Sequence, residues 1–293
     1  MSKILVVGLN PAWQRVLSLG NLQPGSVNRA LEFHTLASGK GINAAKVLAK
    51  LGHDVSLVQI LAGENGNRCL ACCESWNLRS LHAWTQGETR VCITLCETNG
   101  RATEVIEPFS VTESDVSKKL LDEVDVKTSY DALLVCGTAP PGIPESIYGE
   151  ILSKVNAPLV IWDSVMGLTF RLLEDISWLK LNREEFVRLS GLMNLSKMPV
   201  LITEGPKAAS VAHSQSSNGN FLLPQLASVR NPIGAGDTVT AALADGFLRG
   251  LDEETSIRRS LAFGTASCLT VLPAEWNMDD VESLIPQIRR EAA

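Results

Sequence analysis

Residues Asn231-Pro-Ile-Gly-Ala-Gly-Asp-Thr-Val-Thr-Ala-Ala-Leu-Ala-Asp-Gly-Phe247 join a polar turn with two glycines to an apolar pattern. Val239, Leu243 and Phe247 recur every four residues, which predicts one face of a helix. Asp237 lies in the first turn of that helix, where unpaired backbone N–H groups and the helix dipole favour an anion. Two roles are open for Asp237 from this stretch alone: a helix cap, or a group that acts on the bound anion.

The composition describes an ordinary soluble globular chain. It has 293 residues, of which 45% are hydrophobic and 20% charged, and a net charge of −6. This charge, without a run of Lys or Arg, argues against nucleic acid as a partner. No apolar run approaches the roughly 20 residues of a membrane helix, and the first one is too short for a signal peptide. We therefore expect a cytoplasmic protein without a membrane partner.

The seven cysteines are odd in number and lie mostly in apolar surroundings, which predicts reduced thiols. Cys69, Cys72 and Cys73 form a local cluster, but the four histidines are scattered singly. A metal site would need further ligands at short spacing. We interpret the cluster as the inner face of a helix.

Apolar strands and amphipathic helices alternate along most of the chain, beginning with the strand Lys3–Gly8 and resuming at Val55–Leu61. This alternation predicts an α/β fold with a mostly parallel sheet and helices on both faces. Three helices are predicted to close the chain, over Asp237–Leu248, Glu254–Val271 and Met278–Arg290. We expect a single domain spanning residues 1–293.

Two stretches interrupt the alternation and predict a small second sheet. Residues 12–37 hold two short strand-like segments separated by a turn-rich stretch, and residues 88–110 hold a strand, a hairpin turn at 98–101 and a returning strand. In the first of these two strands, Val91, Ile93 and Leu95 share one face, which is typical of a half-buried strand. Together the two insertions form a lid rather than an independent domain.

Polar clusters follow the predicted strands directly or open the helices. They are Asn10, Ser38–Asn43, Gly137-Thr138, Asp163, Asn182, Thr203–Gly205 and Gly234–Asp237. Ligands of open parallel sheets bind outside the carboxyl ends of the strands. We therefore expect these loops to converge on one site.

Several nucleotide-binding classes are excluded by their missing motifs. The turn after the first strand is Gly8-Leu-Asn-Pro-Ala12, which lacks the glycine fingerprint of dinucleotide-binding enzymes. The chain contains neither a P-loop nor the protein-kinase motif set.

Six motifs carry a resemblance to a known family. They are Asn10-Pro-Ala12, Ser38-Gly-Lys-Gly-Ile-Asn-Ala-Ala45, Glu88-Thr-Arg90, Gly137-Thr-Ala-Pro-Pro-Gly142, Leu179-Lys-Leu-Asn-Arg-Glu-Glu185 and Gly234-Ala-Gly-Asp237. In this order and spacing the chain resembles the ribokinase-like sugar kinases, and within them the phosphofructokinase B branch, with its 1-phosphofructokinases and tagatose-6-phosphate kinases. The resemblance covers essentially the whole chain. It implies a three-layer ribokinase-like core with a mostly parallel sheet, plus a small β-sheet lid from the two insertions.

The resemblance implies ATP and Mg²⁺ as cofactors and assigns catalytic and nucleotide-binding positions. Gly234, Ala235 and Gly236 match an anion hole beside the catalytic base Asp237, which would orient the acceptor hydroxyl and take its proton. The nucleotide-side matches are Asn182, Glu185, Thr203, Gly205, Ala266 and Ser267. Glu185 would help to place Mg²⁺ through water, with Glu184 as the competing residue and a capped helix start as the structural alternative. Ala266 and Ser267 either flank the adenine or simply pack.

The acceptor-side matches are Gln14, Arg29, Gly39, Lys40, Asn43, Arg90 and Thr138. A cation at a helix N-terminus is unfavourable, so an anionic ligand would explain Lys40, and Arg90 could bind a phosphate with two hydrogen bonds. Arg29 would add positive charge, with a contribution across a dimer as one option. The chain departs from the branch at Gln14, where an Asp usually contacts sugar hydroxyls, at Ser38, and at Asp163-Ser-Val-Met166.

We therefore expect an ATP-dependent kinase that phosphorylates a ketohexose phosphate, most closely a 1-phosphofructokinase, and that forms a homodimer through the lid. Within the same class, the alternatives are a kinase for tagatose 6-phosphate, fructose 6-phosphate or an unphosphorylated sugar. From another class, the alternative is an inactive sugar-phosphate sensor, suggested by Gln14. The retained Asp237, Asn182 and Glu185 favour the enzyme.

Overall fold

The computed structural model describes residues 1–124, 128–214 and 216–291, which fold around a ten-stranded sheet and a separate four-stranded sheet. The strands are β1 (Lys3–Val7), β2 (Ala12–Leu19), β3 (Glu32–Ser38), β4 (Asp54–Ala62), β5 (Arg79–Thr85), β6 (Val91–Glu97), β7 (Ala102–Ile106), β8 (Ala132–Cys136), β9 (Leu159–Asp163), β10 (Trp178–Asn182), β11 (Val200–Thr203), β12 (Ala208–Ala212), β13 (Gly219–Leu222) and β14 (Arg289–Arg290). The helices are α1 (Lys40–Lys50), α2 (Gly63–Ser75), α3 (Val116–Glu123), α4 (Ser146–Lys154), α5 (Arg183–Ser190), α6 (Ala235–Leu248), α7 (Glu253–Ser267) and α8 (Met278–Leu284).

The large sheet has the strand order β14-β13-β12-β11-β10-β9-β8-β1-β4-β5. All pairs from β11 to β5 are parallel, and the three pairs from β11 to β14 are antiparallel. Helices α1, α2, α6, α7 and α8 cover one face of the sheet, and α3, α4 and α5 cover the other. Because both faces are covered, the central strands β1 and β8 bury apolar side chains at nearly every position. The predicted three-layer α/β fold is confirmed.

The small sheet has the order β3-β2-β6-β7, so the two insertions meet where β2 and β6 pair in parallel. On one face, Val16, Leu36 and Cys96 are buried against Val271 and Leu272 of the main body. We call this the inner face. Residues 91, 93 and 95 of β6 are half-buried as predicted, and they point to the opposite, outer face, whereas residues 92, 94 and 96 are buried.

The end of the chain differs from the prediction. Helix α7 ends at Ser267, and Met278–Arg290 forms α8, a 3₁₀ turn over Ile285–Gln287 and the short strand β14. Pro286 explains the change, since a proline removes an N–H group and clashes with the preceding helical turn. Strand β14 pairs with Phe221 and Leu222 of β13.

Helix α3 starts at Val116 and does not include Glu113, whose side chain has other partners. Its carboxylate accepts a hydrogen bond from the backbone N–H of Gln86 (2.7 Å) and one from the Thr85 hydroxyl. Of the predicted inner-face cysteines, Cys69 and Cys73 are buried and Cys72 is partly exposed. No helix among the described residues combines the length and apolarity needed to span a membrane.

Strand β1 and helix α1 touch through two glycines. A Cβ atom built on Gly41 would lie 2.3 Å from the Cα of Gly8, and one built on Gly8 would lie 2.4 Å from the Cα of Gly41. No side chain fits between these backbones. The contact brings the first turn of α1 to the carboxyl end of β1, where the predicted site loops meet.

Candidate active site

Asp237 lies in the first turn of α6 but does not cap it. The N-cap is Gly234, in the left-handed region with φ of +83°, and no side chain caps this helix. The Asp237 side chain points to α1, where its Oδ2 accepts a hydrogen bond of 2.7 Å from Nδ2 of Asn43. The interpretation of Asp237 as a helix cap is therefore wrong. Its carboxylate is buried beside the turn, with 7% of the residue exposed.

The turn at Gly234–Asp237 presents backbone donors. The N–H group of Ala235 donates to the Pro232 carbonyl (3.3 Å), whereas those of Gly236 and Asp237 have no acceptor among the described residues. A Cβ built on Gly236 would lie 2.8 Å from Nζ of Lys180. Glycine at 236 thus makes room for a buried ammonium group against the turn, and both features suit an anion.

Asp163 connects two lysines under this turn. The residue is fully buried, and its Oδ1 lies 3.0 Å from Nζ of Lys40, while its Oδ2 lies 3.3 Å from Nζ of Lys180. The hydroxyl of Thr240 donates a third hydrogen bond, of 2.7 Å, to Oδ2. A buried carboxylate needs such partners because desolvation penalises its charge. The strand β10, the helix α1 and the helix α6 are thereby joined at one point.

The network separates the pKa values of the two buried aspartates. Burial by itself would raise the pKa of Asp163, but the ammonium groups of Lys180 and Lys40 outweigh it and lower that pKa to about 2. For Asp237, burial and then the charge of Asp163 raise the pKa to about 6. The Asp163 charge also holds the pKa of Lys40 above its ordinary value. Asp163 is thus a permanent anion, and Asp237 is a carboxylate that can take up a proton near neutral pH.

The predicted nucleotide side begins at α5. Asn182 Oδ1 accepts from the N–H of Glu185 (2.8 Å), and Glu185 Oε2 accepts from the N–H of Asn182 (2.8 Å), which is a capping box. The other oxygen of Glu185, Oε1, lies 3.4 Å from Nζ of Lys40 and so faces the same network. A carboxylate with one oxygen fixed and one directed to the cleft suits Mg²⁺, which keeps several waters and needs few protein carboxylates. The residues present therefore fit this ion.

A cavity of about 200 Å³ opens over these groups at the carboxyl edge of the sheet. It is lined by Gly8, Asn10, Lys40, Gly41, Arg90, Cys136, Gly137, Thr138, Ser164, Val165 and Glu185. Three of the seven predicted polar loops thus line this cavity, and Ser164 and Glu185 lie close to two more, as expected from their positions after strands. The loop Thr203–Gly205 and the turn Gly234–Asp237 do not line it. A larger cavity of about 500 Å³, beside α4 and Arg171, contains none of these residues, and we regard the smaller one as the site.

Arg90 is held at the rim of this cavity by backbone groups. Its guanidinium donates to the carbonyl oxygens of Asn10 (3.0 Å) and Pro11 (3.4 Å). These bonds occupy only part of a donor set that also suits phosphate oxygens. Lys40 and Arg90 therefore place two positive charges on one small cavity.

Other predicted site residues lie elsewhere. The Gln14 amide is buried on the inner face of the small sheet, where its Nε2 donates to the Thr94 hydroxyl (2.6 Å), and Arg29 is exposed in the β2–β3 loop. Gly39 precedes α1 in a glycine conformation, with φ of +107°. Thr203 ends β11, and Gly205 follows it on the surface. Ala266 and Ser267 are buried inside α7, and the Ser267 hydroxyl donates to the Gly264 carbonyl.

Sequence patterns missed Lys180 and Ser164 as members of the site, whereas Asp163 was among the loops expected at the sheet edge. Lys180 could have been recognised from the sequence, because it lies inside a strand between the apolar residues Leu179 and Leu181. A charged residue in a strand buried on both faces needs a buried partner. Asp163 was singled out only as a loop position and as a departure from the family pattern.

The fold and the site together define a phosphotransferase that acts on a small molecule: a buried carboxylate, a glycine turn with free N–H groups and two lysines meet at one edge of an α/β sheet. The chain belongs to the pfkB family of carbohydrate kinases, which it matches over residues 1–277. The resemblance seen in the six motifs is confirmed.

Relatives with named activities align along most of the chain. A tagatose-6-phosphate kinase from Staphylococcus epidermidis is 26% identical, in an alignment that covers 97% of this chain and 98% of that protein. A 1-phosphofructokinase from Vibrio cholerae is 28% identical, in an alignment that covers 96% of this chain and 93% of that protein. Among solved structures, phosphofructokinase-2 from Escherichia coli superposes with a TM-score of 0.80 at 19% identity, over 98% of this chain and 99% of that one.

Proposed function

We propose that the protein transfers the γ-phosphoryl group of ATP to a hydroxyl of a ketohexose phosphate, with fructose 1-phosphate as the favoured acceptor and fructose 1,6-bisphosphate as the product. The observation that carries this proposal is the pair Lys40 and Arg90 on one cavity of about 200 Å³, close to the buried Asp237. A neutral sugar has no anionic group for two cations to bind. A phosphorylated one does, because each charge-assisted hydrogen bond strengthens its binding.

In this mechanism the ionised Asp237 orients the acceptor hydroxyl and takes its proton as the phosphoryl group moves. The amide of Asn43 holds the carboxylate in place through its 2.7 Å hydrogen bond. The N–H groups of Gly236 and Asp237 donate to the equatorial oxygens of the transferred group, where negative charge collects. Lys180, fixed by Asp163, adds a positive charge beside Gly236.

On the nucleotide side, Asn182 and Glu185 would hold the phosphates and Mg²⁺, with Glu185 acting through water. Bound Mg²⁺ would neutralise charge on the phosphates of ATP. The remaining work is done by the protein, since phosphoryl transfer depends mainly on in-line positioning. We further propose that the small sheet is a lid that closes over the acceptor and excludes water, which limits hydrolysis of ATP.

Lys40→Ala is expected to raise KM for the phosphorylated acceptor about tenfold or more, because the mutant loses a charge-assisted contact with the acceptor phosphate. The measurement is ADP release from ATP with fructose 1-phosphate, fructose 6-phosphate, tagatose 6-phosphate and fructose. Fructose is the control acceptor, since it carries no phosphate for Lys40. An unchanged KM for every phosphorylated sugar would contradict this role, and binding without turnover on the whole panel would favour the sensor.

We also propose that the outer face of the lid pairs two copies of the chain. Leu17 lies opposite Phe33 of β3 and beside Leu95 of β6, and Ile93 lies opposite Val105 of β7, so these side chains form one apolar patch. Phe33 is 71% exposed and Val105 is 54% exposed. Exposed contiguous apolar side chains of this kind mark association surfaces.

Phe33→Glu is expected to convert a dimer into a monomer, because it places a charge in the patch. Sedimentation velocity at micromolar concentration measures the state directly. Val187→Glu, on an exposed apolar position of α5, is the control and should leave the dimer intact. A monomeric parent protein, or a dimer that survives Phe33→Glu, would refute the interface.

A further inference from the structure

The segment of residues 270–276, which follows α7, lies between the small sheet and the turn at Gly234. Val271 and Leu272 pack on the inner face of that sheet. The Val271 carbonyl accepts a hydrogen bond of 2.8 Å from Nδ2 of Asn231, which precedes the turn. A Cβ built on Gly234 would lie 2.8 Å from the backbone nitrogen of Ala274. The backbone of this segment therefore forms the wall against which the turn is built.

One buried lysine fixes that wall. Lys46 of α1 has 4% of its surface exposed, and its Nζ donates to the Pro273 carbonyl at 2.6 Å and lies 3.2 Å from Glu275 Oε1. Lys50, one turn further, reaches Glu275 (2.9 Å) and the Trp276 carbonyl (2.8 Å). Neither residue touches the cavity described above.

The spacing along α1 relates this contact to the catalytic carboxylate. Asn43, Lys46 and Lys50 are separated by three and four residues, so they lie on one face of the helix. Asn43 holds Asp237, while the two lysines hold residues 273–276. One face of α1 thus fixes the position of the Asp237 carboxylate. It also fixes the position of the backbone of residues 273–276, behind the turn that carries Asp237.

Burying the ammonium group of Lys46 costs free energy, which a side chain that served only to fill space would not require. Burial lowers the pKa of Lys46, against the opposing charge of Glu275. An apolar side chain of similar length would fill the same space without this penalty. The ammonium group is explained if the Pro273 carbonyl must be held at a fixed place, because a 1 Å error in the position of reacting groups can cost about 10²-fold in rate.

We infer that Lys46 is a positioning residue for phosphoryl transfer. It acts through the backbone of Pro273 and Ala274 on the turn at Gly234, and so sets the N–H groups that meet the transferred phosphoryl group. The inference rests on the role proposed above for the turn Gly234–Asp237. The same segment packs Val271 and Leu272 against the lid. A closing movement of the lid would therefore be transmitted directly to the turn.

Lys46→Met should lower kcat for the accepted sugar phosphate about 10- to 100-fold, with KM for the acceptor changed less than about threefold. Lys46→Arg keeps a charged donor and should recover kcat to within about fivefold of the parent protein. The matched control is Lys154→Met, since Lys154 also donates a 2.6 Å bond to a backbone carbonyl, that of Leu121 on α3. Lys154→Met should lose thermal stability like Lys46→Met but keep kcat. Melting temperatures identify any variant that is unfolded under assay conditions.

A second readout is independent of the acceptor: calorimetric titration with ATP and with ADP. The turn meets only the γ-phosphate, so Lys46→Met should weaken ATP binding at least about fivefold and leave ADP binding unchanged. A folded Lys46→Met protein with parental kcat and a parental ratio of ATP to ADP affinity overturns the inference, as does a loss equalled by Lys154→Met. If the parent protein turns over no sugar phosphate, the proposed function fails, and the nucleotide ratio alone then decides on Lys46.

Discussion

Asp237→Asn is expected to lower kcat about 10³-fold and to leave KM for ATP and for the acceptor within about threefold of the parent values. Asparagine has the same shape, and the Asn43 amide can still hydrogen-bond to it. The loss therefore isolates proton transfer rather than binding. Steady-state ADP release with the best acceptor of the panel measures both constants.

The control for this variant is Asp245→Asn, on the same helix. Asp245 is also fully buried and is held by His53 (2.9 Å), Arg249 (2.6 Å) and Arg259 (2.8 Å), away from the cavity. Its substitution should destabilise the fold but leave kcat per folded molecule unchanged. If Asp237→Asn retained most of the activity, Asp237 would not be the base.

The pH profile provides an independent check of the same assignment. Because the pKa of Asp237 is raised to about 6, the active ionised form dominates above that pH and is lost below it. The value of kcat/KM should therefore be level near pH 7.5 and fall about tenfold per pH unit well below 6. In Asp237→Asn this acid limb should disappear, since no proton remains to be gained.

Gly41→Ala is expected to destabilise the fold by roughly 3 kcal/mol, at the upper end for overpacked sites. The new methyl group would lie 2.3 Å from the Cα of Gly8, and both partners are backbone, so no side chain can rotate away. Moving α1 would also displace Lys40 and Asn43. Chemical denaturation gives the loss of stability, and activity should fall with it.

Gly149→Ala is the matched substitution inside α4. There the nearest atom to the new Cβ is the Leu172 Cδ1 at 3.5 Å, an ordinary contact. Alanine is a better helix former than glycine, so this variant should gain about 0.5–1 kcal/mol. If Gly41→Ala were as stable as the parent protein, β1 and α1 would not be in the close contact described above.

The fold was largely predictable because its strands are apolar on both faces. In β1 and β8 nearly every side chain is buried, so the strands stand out as continuous apolar runs between polar turns. The end of α7 could not be predicted in this way. Val271 and Leu272 continue the apolar pattern of the helix, but they lie beyond its end and pack against the small sheet. Periodicity identifies an apolar face but does not say whether a helix or a loop carries it.

The turns of the candidate site could be predicted from the sequence, but its network of ion pairs could not. The glycines and Asp237 are close together in the chain, and local geometry explains them. By contrast, the ion pair of Lys40 with Asp163 joins residues 123 positions apart, and Lys180 is within reach only because β9 and β10 are neighbours. Gln14 was expected near the acceptor, but its amide is already paired with Thr94 across two strands of the small sheet.

The hydrogen bond between Asn43 and Asp237 joins α1 to α6, through residues that are 194 positions apart in the chain. At the usual synthesis rate of about 5–20 residues per second, α1 waits roughly 10–40 s for α6 to leave the ribosome. During that time the apolar surface that α6 later covers stays exposed to water and to other nascent chains. Contacts of such long range also slow refolding of the finished chain. The contact that holds the Asp237 carboxylate thus makes the protein dependent on late completion of its core.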